Sequence, residues 1–385
     1  MRICIVAPTA HTILPESTAQ MAGGAEMQLR LLGRGFVQRG ADVTFIVGDV
    51  GQRAVEHVDG IKVLRCPFRY YGSSWHYFVS DTRHLVSLVR GLSPDVILFK
   101  TPRTLAFSLS LARAGGATKV VRIMASDSDC DRQFVPVTNV LYLLGARRMD
   151  GTIFQSESQA LLAQRRLGIR GRVIPNISHS GAFSHATVVA DCDVGHERDI
   201  DCLWVGTCDA NKSPLEFLKV VRAFPERRFT MIMAPGSDRA LGQTIALQAA
   251  ELKNLDFRGF VRYEKTQEFY WRSRLLIHTS LREGFPNVFL QAWECGTPVV
   301  SMHVDPDGVI ARNELGRVSG SIAGVIKDVG ELLGDENRRS AIGEGCRAYL
   351  TRTHAPHVVI DQYVEYFREL GVHGASLASR ARGIT

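Results

Sequence analysis

The 385-residue chain predicts an α/β fold of two doubly wound units with parallel sheets, and three observations carry that prediction. Short apolar runs of strand length alternate with longer amphipathic segments, the order that lays helices on both faces of a parallel sheet. After residue 198 the alternation starts afresh, which calls for a second Rossmann-like unit after the first. Several strand-like runs end in turns rich in glycine and polar residues, where α/β proteins place their small-molecule sites.

In the first half, strands are read at 2–7, 43–47, 61–65, 95–99, 119–123, 151–154 and 172–174. Residues 1–8 are apolar only briefly before polar sequence begins, so they read as a buried strand and not as a signal peptide. A helix is read over 25–39, because Ala25, Leu29, Leu32 and Phe36 share one face and Gly40 ends it. Near the end of this half, a strand leads to a helix start capped by Ser156 and then to a Pro175-Asn176 turn. Residues 179–198 lack periodicity and read as a linker between a domain of 1–178 and a second of 199–355.

The second half reads strand 201–205, helix 214–223, strand 228–234, helix 239–252, strand 255–258, helix 264–273, strand 274–278, helix 287–295 and strand 298–301. A last helix starts at 356, and residues 356–385 are assigned with it.

Composition narrows the function classes. Hydrophobic residues at 45% and charged ones at 22% exclude disordered and collagen-like chains. No window approaches the ~20 apolar residues of a membrane-spanning helix. The 46 Lys and Arg against 39 acidic residues leave a net charge of +7. That modest excess suits phosphate-bearing substrates, an anionic membrane surface, or solubility alone. No basic run is interleaved with stacking aromatics, so nucleic acid is not expected as a partner. Eight scattered cysteines without a C-x-x-C pair read as reduced, mostly buried thiols of a cytoplasmic protein.

The segment HTSLREGFPNVFLQAWECGTPVVS, from His278 to Ser301, is the most informative. It packs a strand end, a turn at Arg282-Glu283-Gly284-Phe285-Pro286 and a helix opening at Asn287 into one unit. Helix N-termini attract anions, and Gly284 lets backbone approach a ligand closely. Gln291 lies about two turns into the helix, so it and Glu283 can reach different parts of one bound molecule.

This segment resembles the E-x7-E signature of family-4-type retaining glycosyltransferases. The match is close in Glu283-Gly284-Phe285-Pro286 and in Cys295-Gly296-Thr297-Pro298-Val299-Val300, and departs where Gln291 replaces the second Glu. The resemblance implies the GT-B architecture: two Rossmann-like domains with parallel sheets facing across a cleft, and a C-terminal helix crossing back to the first domain. It implies a hexosyltransferase taking a nucleoside-diphosphate sugar, with donor binding in domain two and a saccharide or lipid-linked acceptor in domain one. Glu283 would face the reacting sugar, and Gln291 would stand at the ribose, where an amide can still accept and donate. Gly23-Gly24 resembles the family's diphosphate-contacting glycine pair. In the turn after the first strand of domain two, Thr207 follows Gly206 where the family has Arg, while Lys212 is kept. Lys212 is thereby expected to stabilise the departing diphosphate, and with Glu283 is the expected catalytic pair. Gly206, Thr207, Gly284, Phe285, Pro286 and Asn287 complete the expected donor site.

Asp127-Ser128-Asp129 matches D-x-D literally. Three readings stand for Asp127 and Asp129: a surface turn, an acceptor-binding or acid/base role, and a metal site; no metal or other cofactor is expected. Relatives carry a His in the first domain, whereas this chain has none between His84 and His179. Residues 66–79 bring Phe68, Tyr70, Tyr71, Trp75, Tyr77 and Phe78 together. They suit stacking on sugar rings, contact with the inner membrane face beside a lipid-linked acceptor, or ordinary core. A binding protein with little catalysis, and a GT-B-type sugar-nucleotide epimerase, are the alternatives to a transferase.

Overall fold

The computed structural model describes residues 1–10, 23–68, 75–100, 104–113, 117–131, 136–179 and 197–372. The chain divides into two compact units, Met1–Ile177 with Pro356–Thr385, and Ser178–Ala355. The expected linker falls almost wholly at 180–196, outside the described residues, as do Tyr70 and Tyr71.

In chain order, unit 1 comprises β1 (Arg2–Val6), α1 (Gly24–Gln38), β2 (Asp42–Val47), β3 (Val55–Val58), β4 (Ile61–Arg65), α2 (Trp75–Leu92), β5 (Val96–Phe99), α3 (Leu105–Ala112), β6 (Lys119–Ile123), α4 (Pro136–Ala146), β7 (Gly151–Phe154), α5 (Glu157–Leu167) and β8 (Arg172–Val173). They form a sheet of order β3-β4-β2-β1-β5-β6-β7-β8. Ile3, Cys4, Ile5 and Val6 of β1 are all buried, as a strand covered on both faces requires. The edge departs from the expected parallel sheet: β3 runs antiparallel to β4, with Val58 opposite Ile61. Asp59 and Gly60 make the two-residue turn with φ of 54° and 78°, the left-handed pair that such a hairpin needs.

Unit 2 comprises β9 (Ile200–Thr207), α6 (Pro214–Ala223), β10 (Phe229–Ala234), α7 (Arg239–Ala250), β11 (Leu255–Arg258), α8 (Tyr263–Trp271), β12 (Ser273–His278), α9 (Asn287–Glu294), β13 (Val299–Ser301), α10 (Val309–Arg312), β14 (Gly316–Val318), α11 (Ile322–Gly334) and α12 (Glu336–Thr353). Its strands are ordered β11-β10-β9-β12-β13-β14, and every described pair is parallel. This is the doubly wound order in which the chain leaves the middle of the sheet first one way and then the other. β9 runs past the expected end at 205 because Met233 and Ala234 extend the ladder opposite Gly206 and Thr207.

The last helix, α13 (Pro356–Glu369), belongs to unit 1, as the crossing implied by the resemblance requires. The Phe36 ring of α1 stands edge-on to Tyr363 at 5.8 Å and tilted to Phe367 at 5.9 Å. Arg39 pairs with Asp361 at 2.6 Å and Arg172 with Glu365 at 2.9 Å. Covered by the sheet and by α13, α1 buries Met27, Leu29, Leu31, Leu32 and Phe36, more than a one-faced helix would.

Among the described residues no helix is long and apolar enough to cross a membrane. The seven described cysteines are buried and free of disulfides, and burial pushes the Cys4 thiol up to about 12.

Candidate active site

β9 and β12 lie side by side, but the connections after them lead to opposite halves of the sheet. A crevice therefore opens at their carboxyl ends. Two loops rim it, 208–213 after β9 and 279–286 after β12. Their backbones are joined: Asn211 donates its side-chain amide to the Arg282 carbonyl at 2.8 Å, and its side-chain oxygen accepts from the Arg282 amide at 3.1 Å. The Leu281 amide reaches the Asn211 carbonyl at 2.8 Å. Below them the indole N–H of Trp204 donates to the Thr279 hydroxyl at 2.9 Å, which donates to the Lys212 carbonyl at 2.7 Å.

On this scaffold Lys212 Nζ donates to Glu283 Oε1, and both side chains are partly open to solvent. His278, the last residue of β12, lies beneath them with Nε2 3.9 Å from the same Glu283 oxygen. Its ring is buried edge-on against Phe289 at 4.8 Å. Burial, and then the positive charge of Lys212, hold its pKa well below the usual histidine range, so the imidazole is neutral.

The turn after Glu283 is anchored from below. Gly284, Phe285 and Pro286 are buried, and the Phe285 ring packs on Trp293 at 6.2 Å and His354 at 5.1 Å. His354, at the C-terminal end of α12, also meets Tyr349 at 5.5 Å. Asn287 opens α9 without a side-chain cap, the Phe289 amide turns back to the Pro286 carbonyl at 3.1 Å, and the positive end of the helix dipole lies at the loop that carries Glu283. Gly206 is required for packing, since a Cβ there would stand 2.8 Å from the Trp204 ring. Thr207 is exposed at the end of β9. Arg198 closes the other end of α9, donating to the Cys295 carbonyl at 2.8 Å, where a cation suits the helix dipole.

In unit 1, the corresponding switch lies between β1 and β5. Gly23 is the N-cap of α1 and Gly24 its first residue. The Thr9 hydroxyl donates to Glu26 on the first turn of α1. A Cβ on Gly23 would lie 2.6 Å from that carboxylate. Lys100, just after β5, is buried, and burial lowers its pKa to about 8 against the opposing pull of Glu26 and Asp129. Asp127 and Asp129 sit in a single 3-10 turn after β6. The Asp129 carboxylate accepts the Ala125 amide at 2.7 Å and the Ser126 amide at 3.3 Å, and faces buried Arg122 at 3.4 Å. Among the described residues no group of three or more His, Cys, Asp or Glu is arranged to hold a metal ion.

Residues 199–335 match the family profile described as Glycosyl transferases group 1, and residues 23–176 match the Glycosyl transferase 4-like domain. Together these matches span well over half of the chain. The chain belongs to the family-4-type glycosyltransferases of GT-B fold. Similar solved structures include the sucrose-phosphate synthase of Thermosynechococcus elongatus, with TM-score 0.79, 15% identity, and coverage of 97% of this chain and 100% of that one. The Anabaena protein HepE in complex with UDP and glucose has TM-score 0.70 at 15% identity, covering 96% and 100% of the two chains. The trehalose 6-phosphate synthase of Burkholderia multivorans has TM-score 0.68 at 13% identity, covering 97% and 99%. These likenesses establish the shared fold. No curated protein sequence matches the chain.

In this glycosyltransferase the expected donor residues Gly206, Thr207, Lys212, Glu283, Gly284, Phe285, Pro286 and Asn287 all lie on or beside the two loops at the β9/β12 switch. Gln291 is placed differently. Its side chain is buried, with Tyr270 donating to Oε1 at 3.2 Å and the amide reaching the Thr266 hydroxyl at 3.5 Å. Gly23, Gly24, Asp127 and Asp129 lie in unit 1. Sequence reasoning missed His278 and Asn211. The available signal for both was polarity: a His ending an otherwise apolar strand, and an Asn one residue before Lys212.

Proposed function

We propose that this glycosyltransferase moves a hexose from a nucleoside-diphosphate sugar to a hydroxyl acceptor with retention of configuration. The acceptor class is a glycan or lipid-linked saccharide, in cell-surface polysaccharide or glycoconjugate assembly at the cytoplasmic face of a membrane. The observation carrying this reading is the Lys212–Glu283 pair, held at the β9/β12 switch by loops already bonded to each other.

When the sugar–phosphate bond breaks, its electron pair goes to the diphosphate oxygen. Lys212 meets that charge as a fixed cation, aided by the positive end of the α9 dipole, and its role requires no metal. Glu283, relieved of its lysine as the diphosphate draws Lys212 away, faces the reacting sugar, where positive charge develops as the bond loosens. For unit 1 only the roles implied by the resemblance are carried over: Gly23 and Gly24 for a diphosphate, Asp127 and Asp129 for the acceptor. Gln291 serves the ribose by way of the α8–α9 contact it makes with Tyr270 and Thr266. The Anabaena protein HepE was solved with UDP-glucose, which makes UDP-sugars the first donors to try.

The test is release of free nucleoside diphosphate from a donor panel, with and without acceptor extracts. Acceptor-dependent release is expected. Donor binding with no release under any condition would overturn the assignment as a transferase.

A further inference from the structure

A buried imidazole beneath the Lys212–Glu283 pair has no role in the reaction as set out above. His278 is 4% exposed, and among the described residues neither ring nitrogen has a hydrogen-bond partner. An unsatisfied buried polar group costs about 1–3 kcal/mol, so a residue there only for packing would do better as a hydrocarbon. Its Nε2 stands 3.9 Å from Glu283 Oε1, roughly 1 Å beyond a hydrogen bond. That oxygen is the one Lys212 holds. The edge-on contact with Phe289 fixes the ring, and β12 fixes its backbone, with the Met302 amide bonded to the His278 carbonyl at 2.8 Å.

We propose that His278 is a positioning residue for Glu283: its Nε2–H takes over the carboxylate oxygen that Lys212 releases when the lysine is drawn to the diphosphate. This hand-over rests on the role given to Lys212 above. Without it, Glu283 would lose its short ionic partner among the described residues at the moment the carboxylate must stay ionised and aimed at the sugar. A neutral imidazole suits the task because it supplies a donor and adds no charge competing for the diphosphate. The charged groups facing the ring among the described residues are Lys212 and Glu283, while Phe289 presents an apolar edge. The low pKa imposed by burial and by Lys212 agrees with a ring that donates while neutral.

The hand-over can be followed without a donor. In Lys212→Met the lysine is gone, so His278 should pair with Glu283 in the resting protein. Nitrogen-edited imidazole NMR should then show the Nε2–H tautomer, its proton moved downfield, and a titration at higher pH than in the parent. An Nδ1–H tautomer in both proteins, or a spectrum unchanged by Lys212→Met, overturns the proposal. In turnover, His278→Phe keeps the ring shape and removes the N–H. It should lower kcat by about 10- to 100-fold, the worth of one hydrogen bond to an ionised carboxylate, with KM for donor within about twofold. His278→Gln should recover part of that loss. Full kcat in folded His278→Phe sinks the idea. A parent protein that processes no nucleotide sugar overturns the transferase reading instead, and the Lys212→Met spectrum still decides the question for His278.

Discussion

In the proposed reaction, activity depends most directly on Lys212 and Glu283. Lys212→Ala should reduce turnover at least ~100-fold with a smaller change in donor affinity, since its charge matters most as the diphosphate leaves. Steady-state kinetics beside calorimetric donor binding checks this, and near-normal turnover refutes it. Because the cation in this scheme is a side chain, activity should persist in EDTA; a complete loss restored by Mg²⁺ or Mn²⁺ would return Asp127 and Asp129 to consideration as ligands. Gln291 makes a different prediction. Its oxygen is the partner of the buried Tyr270 hydroxyl, so Gln291→Ala should destabilise unit 2 by about 1–3 kcal/mol in denaturant unfolding. Gln291→Glu keeps an acceptor for Tyr270 and should fold. If Gln291→Ala leaves unfolding unchanged and only weakens donor binding, a direct ribose contact outweighs the packing role. Lys212 and Glu283 were legible because a motif names them, whereas His278 was not: its meaning is a distance to a side chain five residues on and to another 66 residues back.

Elements were legible where they alternate cleanly and obscure where they do not. β4, β6, β7, α6 and β11 occupy the residues expected from pattern alone, because each is an apolar or amphipathic run bounded by turn residues. α3 gave no helical period: Leu105–Ala112 is apolar almost all round, with Leu105, Ala106, Leu109 and Ala112 buried. α12 hid for the opposite reason, being polar apart from a thin line of Ile342, Cys346 and Leu350. Two helix contacts carry stability predictions. A Cβ on Gly145 of α4 would lie 2.4 Å from backbone atoms of Ala106 and Phe107 in α3, which cannot give way as a side-chain tip can. Gly145→Ala should therefore cost about 1–3 kcal/mol despite its better helix propensity, with a lowered Tm as the readout. Phe36→Ala should cost about 3–5 kcal/mol, because it empties the contact with Tyr363 and Phe367 that docks α13 on α1. An unchanged Tm for Phe36→Ala would mean that α13 docking adds nothing to unit 1.

At the scale of the molecule, two buried histidines tie stability to pH. Burial lowers His179 to about 3 and holds His278 well below its usual range, while both titrate near ~6.5 when unfolded. Below that pH the unfolded chain binds more protons than the folded one, so these groups make stability fall as pH drops from about 6.5 toward the folded values. Each contributes at most ~1.4 kcal/mol per pH unit. Unfolding of unit 2, followed by fluorescence of Trp204, Trp271 and Trp293, should give a steeper loss between pH 6.5 and 4.5 for the parent than for His179→Phe. Equal slopes would show that His179 is not buried neutral.

Sequence by itself determined the fold class, the doubling of the α/β pattern, the turn carrying Glu283 and the family resemblance, because each is written in local spacing that a reader can follow along the chain. It also held the Asp59-Gly60 signal of the β3–β4 hairpin, an antiparallel edge that the alternating α/β pattern around it does not announce. Only the tertiary structure decided that Lys212 pairs with Glu283 across 71 residues, that Gln291 faces Tyr270, and that His278 lies beneath the pair. The physical reason is sheet order: β9 pairs with β12 although β10 and β11 intervene in the chain, so residues on separate loops meet at a crevice that no local pattern records.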